Sequence, residues 1–293
     1  MLKLEVNHIL VPIDFSETSL NALKHAAEFA KKFDAKLTLL HVYESLGNDV
    51  LLPDLLIGKK VLDNPYQELV IKKLDEARAT ISDIYNKNVD IAVSEGTISS
   101  AVESFVNEEK VDIIVMGTHG TKGVIQNYII GSNSYKVVGA SKVPVLTVRK
   151  KVTNLDIKNI VVPVDYTKFS RQKLPFAADL AKRFDATLKL FFTDQKEYNE
   201  LKNNALIEQV ENYLRNEGVN FTTQISEDAY SAKEVIKYTE FTNSDLIIIM
   251  SERETTISNM LLGSTSREVV NHSQIPVLTL HPFGDQAHMD IWK

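Results

Sequence analysis

The chain of 293 residues is 44% apolar and 25% charged, about twice the size of a typical domain, so two domains are expected. Thirty-three basic residues against 39 acidic ones leave a net charge of −6, which argues against a general nucleic-acid or anionic-membrane surface. The absence of cysteine excludes disulfides, thiolate metal sites and cysteine nucleophiles. The start, Met1 to Glu5, lacks the apolar core of a signal peptide, and no run is long enough to span a bilayer, so a soluble cytoplasmic protein is expected.

In chain order, Ile9–Ile13 reads as a buried strand. A helix with Leu20, Leu23, Ala27 and Ala30 on one face follows, then a second strand, Lys36–Val42. A helix from about Tyr66 to Tyr85, a strand Asp90–Ser94, a helix Ser99 to Glu109 and an apolar strand Val111–Met116 come next. A last helix near Ser132 and a strand Pro144–Val148 complete the unit. Beyond a short polar linker, Lys150 to Lys158, the pattern starts again. Ile9-Leu10-Val11-Pro12-Ile13-Asp14 matches Ile160-Val161-Val162-Pro163-Val164-Asp165 at an offset of 151. The offset falls to 132 at the end, where Val143-Pro144-Val145-Leu146-Thr147 matches Ile275-Pro276-Val277-Leu278-Thr279. Most of the missing length corresponds to Glu44–Asp63 of the first copy. The expected fold class is therefore α/β, as two tandem open, doubly wound parallel five-stranded sheets over residues 1–150 and 151–293.

Eight of the 11 glycines precede residue 150, and Gly117, Gly120, Gly123 and Gly131 fall within 15 residues, after one strand and before the next helix. Glycines let bare amides approach a ligand, and a helix N-terminus supplies unpaired donors, so this cluster reads as an anion pocket. The plain alternative is a flexible turn with Ser132 as helix N-cap. A P-loop is excluded because no G-x-x-x-x-G-K-[ST] occurs, and a dinucleotide fingerprint because the first strand runs into Pro12-Ile13-Asp14-Phe15-Ser16. Asp14 with Glu17 also satisfies the capping-box pattern.

These residues resemble the universal stress proteins in tandem two-domain form. The anchors are Val11-Pro12-Ile13-Asp14-Phe15-Ser16, Leu40-His41-Val42, Asp112 to Gly120, Gly131-Ser132 and Val143-Pro144-Val145-Leu146. The resemblance implies a Rossmann-like fold related to the adenine-nucleotide alpha hydrolases. It also implies an ATP pocket with the pattern G-x2-G-x9-G-[ST], in which magnesium could accompany ATP. Gly117, Gly120 and Gly131-Ser132 fit that pattern, with ten residues rather than nine in the last gap. Carried over, Asp14 and the backbone of Val42 would meet adenine, with Pro12, Ile13 and Met116 beside them. Gly117 would lie near the ribose, and Gly120, Gly131, Ser132 and Asn133 near the phosphates. His119 reads as a loop residue lining the pocket, and Lys122 as an exposed loop lysine. The implied partners are an adenine nucleotide and the other half of the same chain, paired through the fifth strands, with a homodimer also open. In the second half, Ser251-Glu252-Arg253-Glu254 is read against Gly117-Thr118-His119-Gly120, which sets two glutamates against any phosphate. That half is expected to bind no triphosphate, or to bind a nucleotide only weakly.

Three functions follow as expectations: a nucleotide-binding stress or regulatory module, an association scaffold with an empty pocket, and a slow ATPase. The last is disfavoured, since no nucleophile–base pair or metal-holding carboxylate is suggested. Val50-Leu51-Leu52-Pro53-Asp54-Leu55-Leu56-Ile57 is read as packing on its own domain, with a lid as the alternative. The tail from His281 to Lys293, bearing the single Trp292, is read as clipping to its own surface.

Overall fold

The computed structural model describes residues 5–43, 65–118, 131–150, 152–165, 168–193, 200–226, 231–251 and 263–281. The apolar segment 50–57, Lys122 and the tail beyond His281 lie outside these residues.

In the first half, β1 (His8–Pro12) leads to α1 (Glu17–Phe33), β2 (Lys36–Tyr43), α2 (Pro65–Ala79), β3 (Val89–Glu95), α3 (Ile98–Glu109), β4 (Ile113–Gly117), α4 (Ser132–Ala140) and β5 (Val145–Val148). The second half repeats the order with β6 (Asn159–Val164), α5 (Lys168–Arg171), α6 (Leu174–Phe184), β7 (Thr187–Thr193), α7 (Glu200–Asn216), β8 (Phe221–Ser226), α8 (Ala232–Phe241), β9 (Leu246–Met250), α9 (Ser264–His272) and β10 (Val277–Leu280). The β1, β4 and β5 strands are buried along their whole length, as continuous apolar runs covered by helices on both faces require.

The two five-stranded units join into one ten-stranded sheet, ordered β3-β2-β1-β4-β5-β10-β9-β6-β7-β8. Every pairing within a half is parallel, and β5–β10 is antiparallel with Leu146 opposite Leu278. The expected pairing of the fifth strands within one chain is therefore present. Helices on both faces continue the junction. On one face the rings of Phe29 and Phe184 lie 5.0 Å apart, and the Arg183 guanidinium sits 4.4 Å over Phe33. On the other, Arg149 donates to the Asn271 carbonyl. The linker is tied back to α1, where the Asn21 amide donates to the carbonyls of Arg149 and Val152.

The capping roles offered as alternatives for Asp14 and Ser132 are corrected. Ser16, not Asp14, caps α1, with its Oγ accepting from the Ser19 amide at 3.1 Å. Asp14 is instead one step upstream, its Oδ1 accepting from the Ser16 amide at 3.1 Å and from Ser16 Oγ at 2.6 Å. This is an Asx turn feeding the cap, and it removes Glu17 from capping-box spacing. At α4 the N-cap is Gly131 and no side chain caps the helix, so Ser132 is its first helical residue.

The helix matching α1 in the second half is divided into α5 and α6. Pro175 stands where the first half has Lys24, and without an amide proton it cannot bond back to Arg171, which ends the first segment.

Candidate functional site

In both halves the chain leaves the first strand toward one side and returns on the other. The topological switch point of the first half thus lies between β1 and β4. Ligands in open α/β sheets bind outside the carboxyl ends of strands at such a point. Of the candidate residues, Pro12, Ile13 and Asp14 lie at the end of β1, Val42 near the end of β2, Met116 and Gly117 at the end of β4, and Gly131, Ser132 and Asn133 at the start of α4. His119 and Gly120 lie outside the described residues.

The β1 end is held by a compact set of contacts. The Ile13 amide donates to the Leu40 carbonyl at 2.8 Å, and His41 Nδ1 donates to the Ile13 carbonyl at 2.7 Å. Phe15 takes a left-handed backbone with φ 63°, and its ring stacks on His41 at 4.8 Å between centroids. The Lys73 ammonium of α2 lies 5.4 Å from the Phe15 ring centroid. Neither His41 nor Phe15 was given a role by sequence reasoning, although both lie inside its anchor motifs. The left-handed turn has no signal in a phenylalanine, but a histidine alternating into a buried apolar strand marks a polar group needing a partner.

At the β4 end, glycine is required by packing. A Cβ at Gly117 would lie 2.8 Å from Thr18 Cγ2 and 2.9 Å from the Thr18 carbonyl carbon, so the close approach of α1 alone accounts for this glycine. Ser134 Oγ donates to the Gly117 carbonyl at 2.7 Å. The Gly131 amide donates to the Thr118 carbonyl at 2.6 Å, which closes the loop between them and commits that amide inside the protein. The next amides, Ser132 and Asn133, are in the first helical turn, where no backbone acceptor exists within the helix and no side-chain cap is present. Ser16, Thr97 and Ser231 cap α1, α3 and α8, whereas α6 and α9 start without a side-chain cap as α4 does.

The hydrogen-bond register corrects the alignment of the second half by one residue. Asp112 and Asp245 each accept from two backbone amides at the start of the central strand, Asn7 and His8 in one case and Lys158 and Asn159 in the other. Thr118 donates its amide to Val148 and Ser251 its amide to Leu280. Met250 therefore matches Gly117, Ser251 matches Thr118 and Arg253 takes the place of Gly120. Nine residues, not eight, precede Gly263, and a single glutamate, Glu252, lies between the two former glycine positions. The paired apolar runs have no internal landmark, so they slide easily; the aspartate before each is the signal that fixes them.

The matching end of the second half keeps one of these contacts and adds others. Ser266 Oγ donates to the Met250 carbonyl at 2.8 Å, repeating the Ser134 contact. Ser251 Oγ and His281 Nδ1 are 2.9 Å apart, and burial pulls the His281 imidazole down to about 4. Lys173 replaces the buried Ala22 and donates to the Ser170 carbonyl and Oγ, both at 2.8 Å. Burial lowers its ammonium to about 8 against an opposing pull from Asp165. Among the described residues no group of three potential metal ligands occurs, and no helix is long and apolar enough to cross a membrane.

The model of the universal stress protein family matches residues 5–149 and again 156–281. A universal stress protein of Methanocaldococcus jannaschii is 32% identical over 157 residues, which is 49% of this chain and 94% of that protein. One from Synechocystis is 21% identical over 294 residues, 94% of this chain and 99% of that protein. The crystal structure of a universal stress protein from Archaeoglobus fulgidus superposes with a TM-score of 0.70 at 20% identity, covering 94% of this chain and 99% of that one.

Proposed function

The chain belongs to the universal stress protein family with two of its domains in tandem, and from that premise we propose that its first half binds an adenine nucleotide and its second half does not. Asp14 and the Val42 backbone would meet the base, with Pro12, Ile13 and Met116 lining its pocket and Gly117 near the ribose. Gly120 and the amides of Ser132 and Asn133 would meet the phosphates. The start of α9 after Gly263 is uncapped as well, so the second half is set apart by Met250 and Arg253 in place of Gly117 and Gly120. The observation that carries binding by the first half is the uncapped first turn of α4, standing at the switch point beside the ends of β1 and β4. It also favours an anion without a dedicated cationic side chain, in keeping with the net charge of −6. Magnesium, where it enters, would come with ATP.

On this reading the chain is a nucleotide-responsive stress or regulatory module in which the second half is the built-in partner of the first. A scaffold without nucleotide is the second reading, favoured by the Gly131 amide being bonded to Thr118.

Calorimetric titration of the full chain with ATP separates them. Binding at one site per chain is expected, and Gly120→Glu, which adds bulk and negative charge beside the phosphates, abolishes it. Absence of heat at millimolar ATP leaves the scaffold; two sites per chain contradict the asymmetry. Sustained phosphate release that Gly120→Glu removes would make the protein an ATPase.

A further inference from the structure

We infer that His41 is a positioning residue for the base end of the first-half site, acting through the turn that carries Asp14; the inference rests on the nucleotide reading above. His41 is buried, and its ring makes two contacts on that turn, the hydrogen bond to the Ile13 carbonyl at 2.7 Å and the stack on Phe15. These bracket Asp14 from both sides in sequence. The left-handed backbone of Phe15 costs about 1 kcal/mol for a residue with a Cβ, so the turn needs neighbours that over-determine it. The His41 ring stacked on Phe15 and the Lys73 ammonium over the Phe15 ring supply them. His41 also precedes Val42 on β2, so one residue ties together the strand ends that bear both proposed base contacts.

The duplicated half provides an internal comparison. Pro163 pairs with Phe191 and Val164 with Phe192, so Phe192 occupies the place of His41 and has no proton to donate to the Val164 carbonyl. Where Lys73 would fall, the corresponding stretch of α7, Ala205 to Ile207, carries no cation. Asp165 is retained there. The half that has lost Gly117 and Gly120 has therefore lost the histidine and the lysine as well while keeping the aspartate. A purely structural need of the fold for His41 would apply equally to both halves.

The positioned group has a chemical preference. A carboxylate accepts from the exocyclic amine of adenine and repels the carbonyl oxygen that guanine presents at the same place. Loosening the turn should therefore cost selectivity for the base. The test is titration of the full chain, His41→Phe and Lys73→Met with ATP and with GTP. His41→Phe copies the second half and keeps an aromatic ring against Phe15. Its preference for ATP over GTP is expected to fall about tenfold, and that of Lys73→Met, on an exposed helix face, two- to threefold at roughly the strength of an exposed cation–π contact. An unchanged preference in His41→Phe overturns the inference, whether both affinities hold or both decline together, since general destabilisation weakens both nucleotides alike. Should His41→Phe not fold, the Lys73→Met preference decides the matter, and no change there overturns it. Failure of the unaltered chain to bind ATP instead removes the nucleotide reading itself and is visible before any variant is compared.

Discussion

Gly117 illustrates how one residue can belong to a ligand motif and still be fixed by packing. Its missing Cβ is the space into which Thr18 projects, with contacts of 2.8 and 2.9 Å awaiting any larger side chain. One of the partners is backbone, so rotamer change cannot relieve the clash and α1 must move. Gly117→Ala is expected to destabilise the protein by about 1–3 kcal/mol, the usual range for overpacking a buried site. Denaturant melts without nucleotide would show it, and an unchanged midpoint would mean that α1 yields freely. Sequence alone exposed this glycine as special but not why, because Thr18 is 99 residues away. Gly131 was equally visible, yet its amide proved to face Thr118, a contact that no local pattern announces. The spacing of Asp14 to Glu17 also fits a capping box, beside the adenine contact the resemblance implies; Ser16 takes the cap by lying one residue from the helix. His41 was legible as a motif residue, while its hydrogen bond to Ile13 depends on the pairing of β1 with β2.

Among the elements, the divided helix of the second half shows what replacing a small buried residue entails. Pro175 stops α5, and Lys173 follows the break with its ammonium folded back onto Ser170. The helix thereby exchanges a backbone ladder for a buried cation. Lys173 titrates near 8 in the folded chain against about 10.5 when exposed. Between these values the unfolded chain holds a proton that the folded chain has released. Stability is therefore expected to rise with pH through that window, by roughly 3 kcal/mol at most. The measurement is the difference in unfolding free energy between the parent and Lys173→Met from pH 7.5 to 10.5; a flat difference would remove Lys173 as the cause. The strands and helices of the first half are readable in the sequence, since buried runs such as Ile113–Met116 and helical stripes such as Leu23, Ala27 and Ala30 have distinct periods, but α2 ends at Ala79 rather than Tyr85 and the division of α5 from α6 is not foreseen. Their alignment between halves was less so: Ile113-Ile114-Val115-Met116-Gly117 and Leu246-Ile247-Ile248-Ile249-Met250 match almost as well when displaced by one residue.

For the whole molecule, the apolar core runs from one repeat into the other across the junction. The junction comprises the β5–β10 pair, the Phe29–Phe184 contact and the Arg149–Asn271 hydrogen bond, so separating the halves would bare an unpaired strand and buried rings together. A fragment of residues 1–150, made alone, is expected to dimerise through β5 with the geometry that β10 now fulfils. Sedimentation of that fragment tests this, and a stable monomer at micromolar concentration would show the junction to be dispensable. The antiparallel crossing at β5–β10 also turns the two switch points toward opposite edges of the sheet. Neither end can lend residues to the other. Two unlinked subunits, one glycine-bearing and one with Met250 and Arg253, would assort into three kinds of dimer. Covalent fusion abolishes that lottery, so every copy leaves the ribosome with the same two unlike ends, back to back.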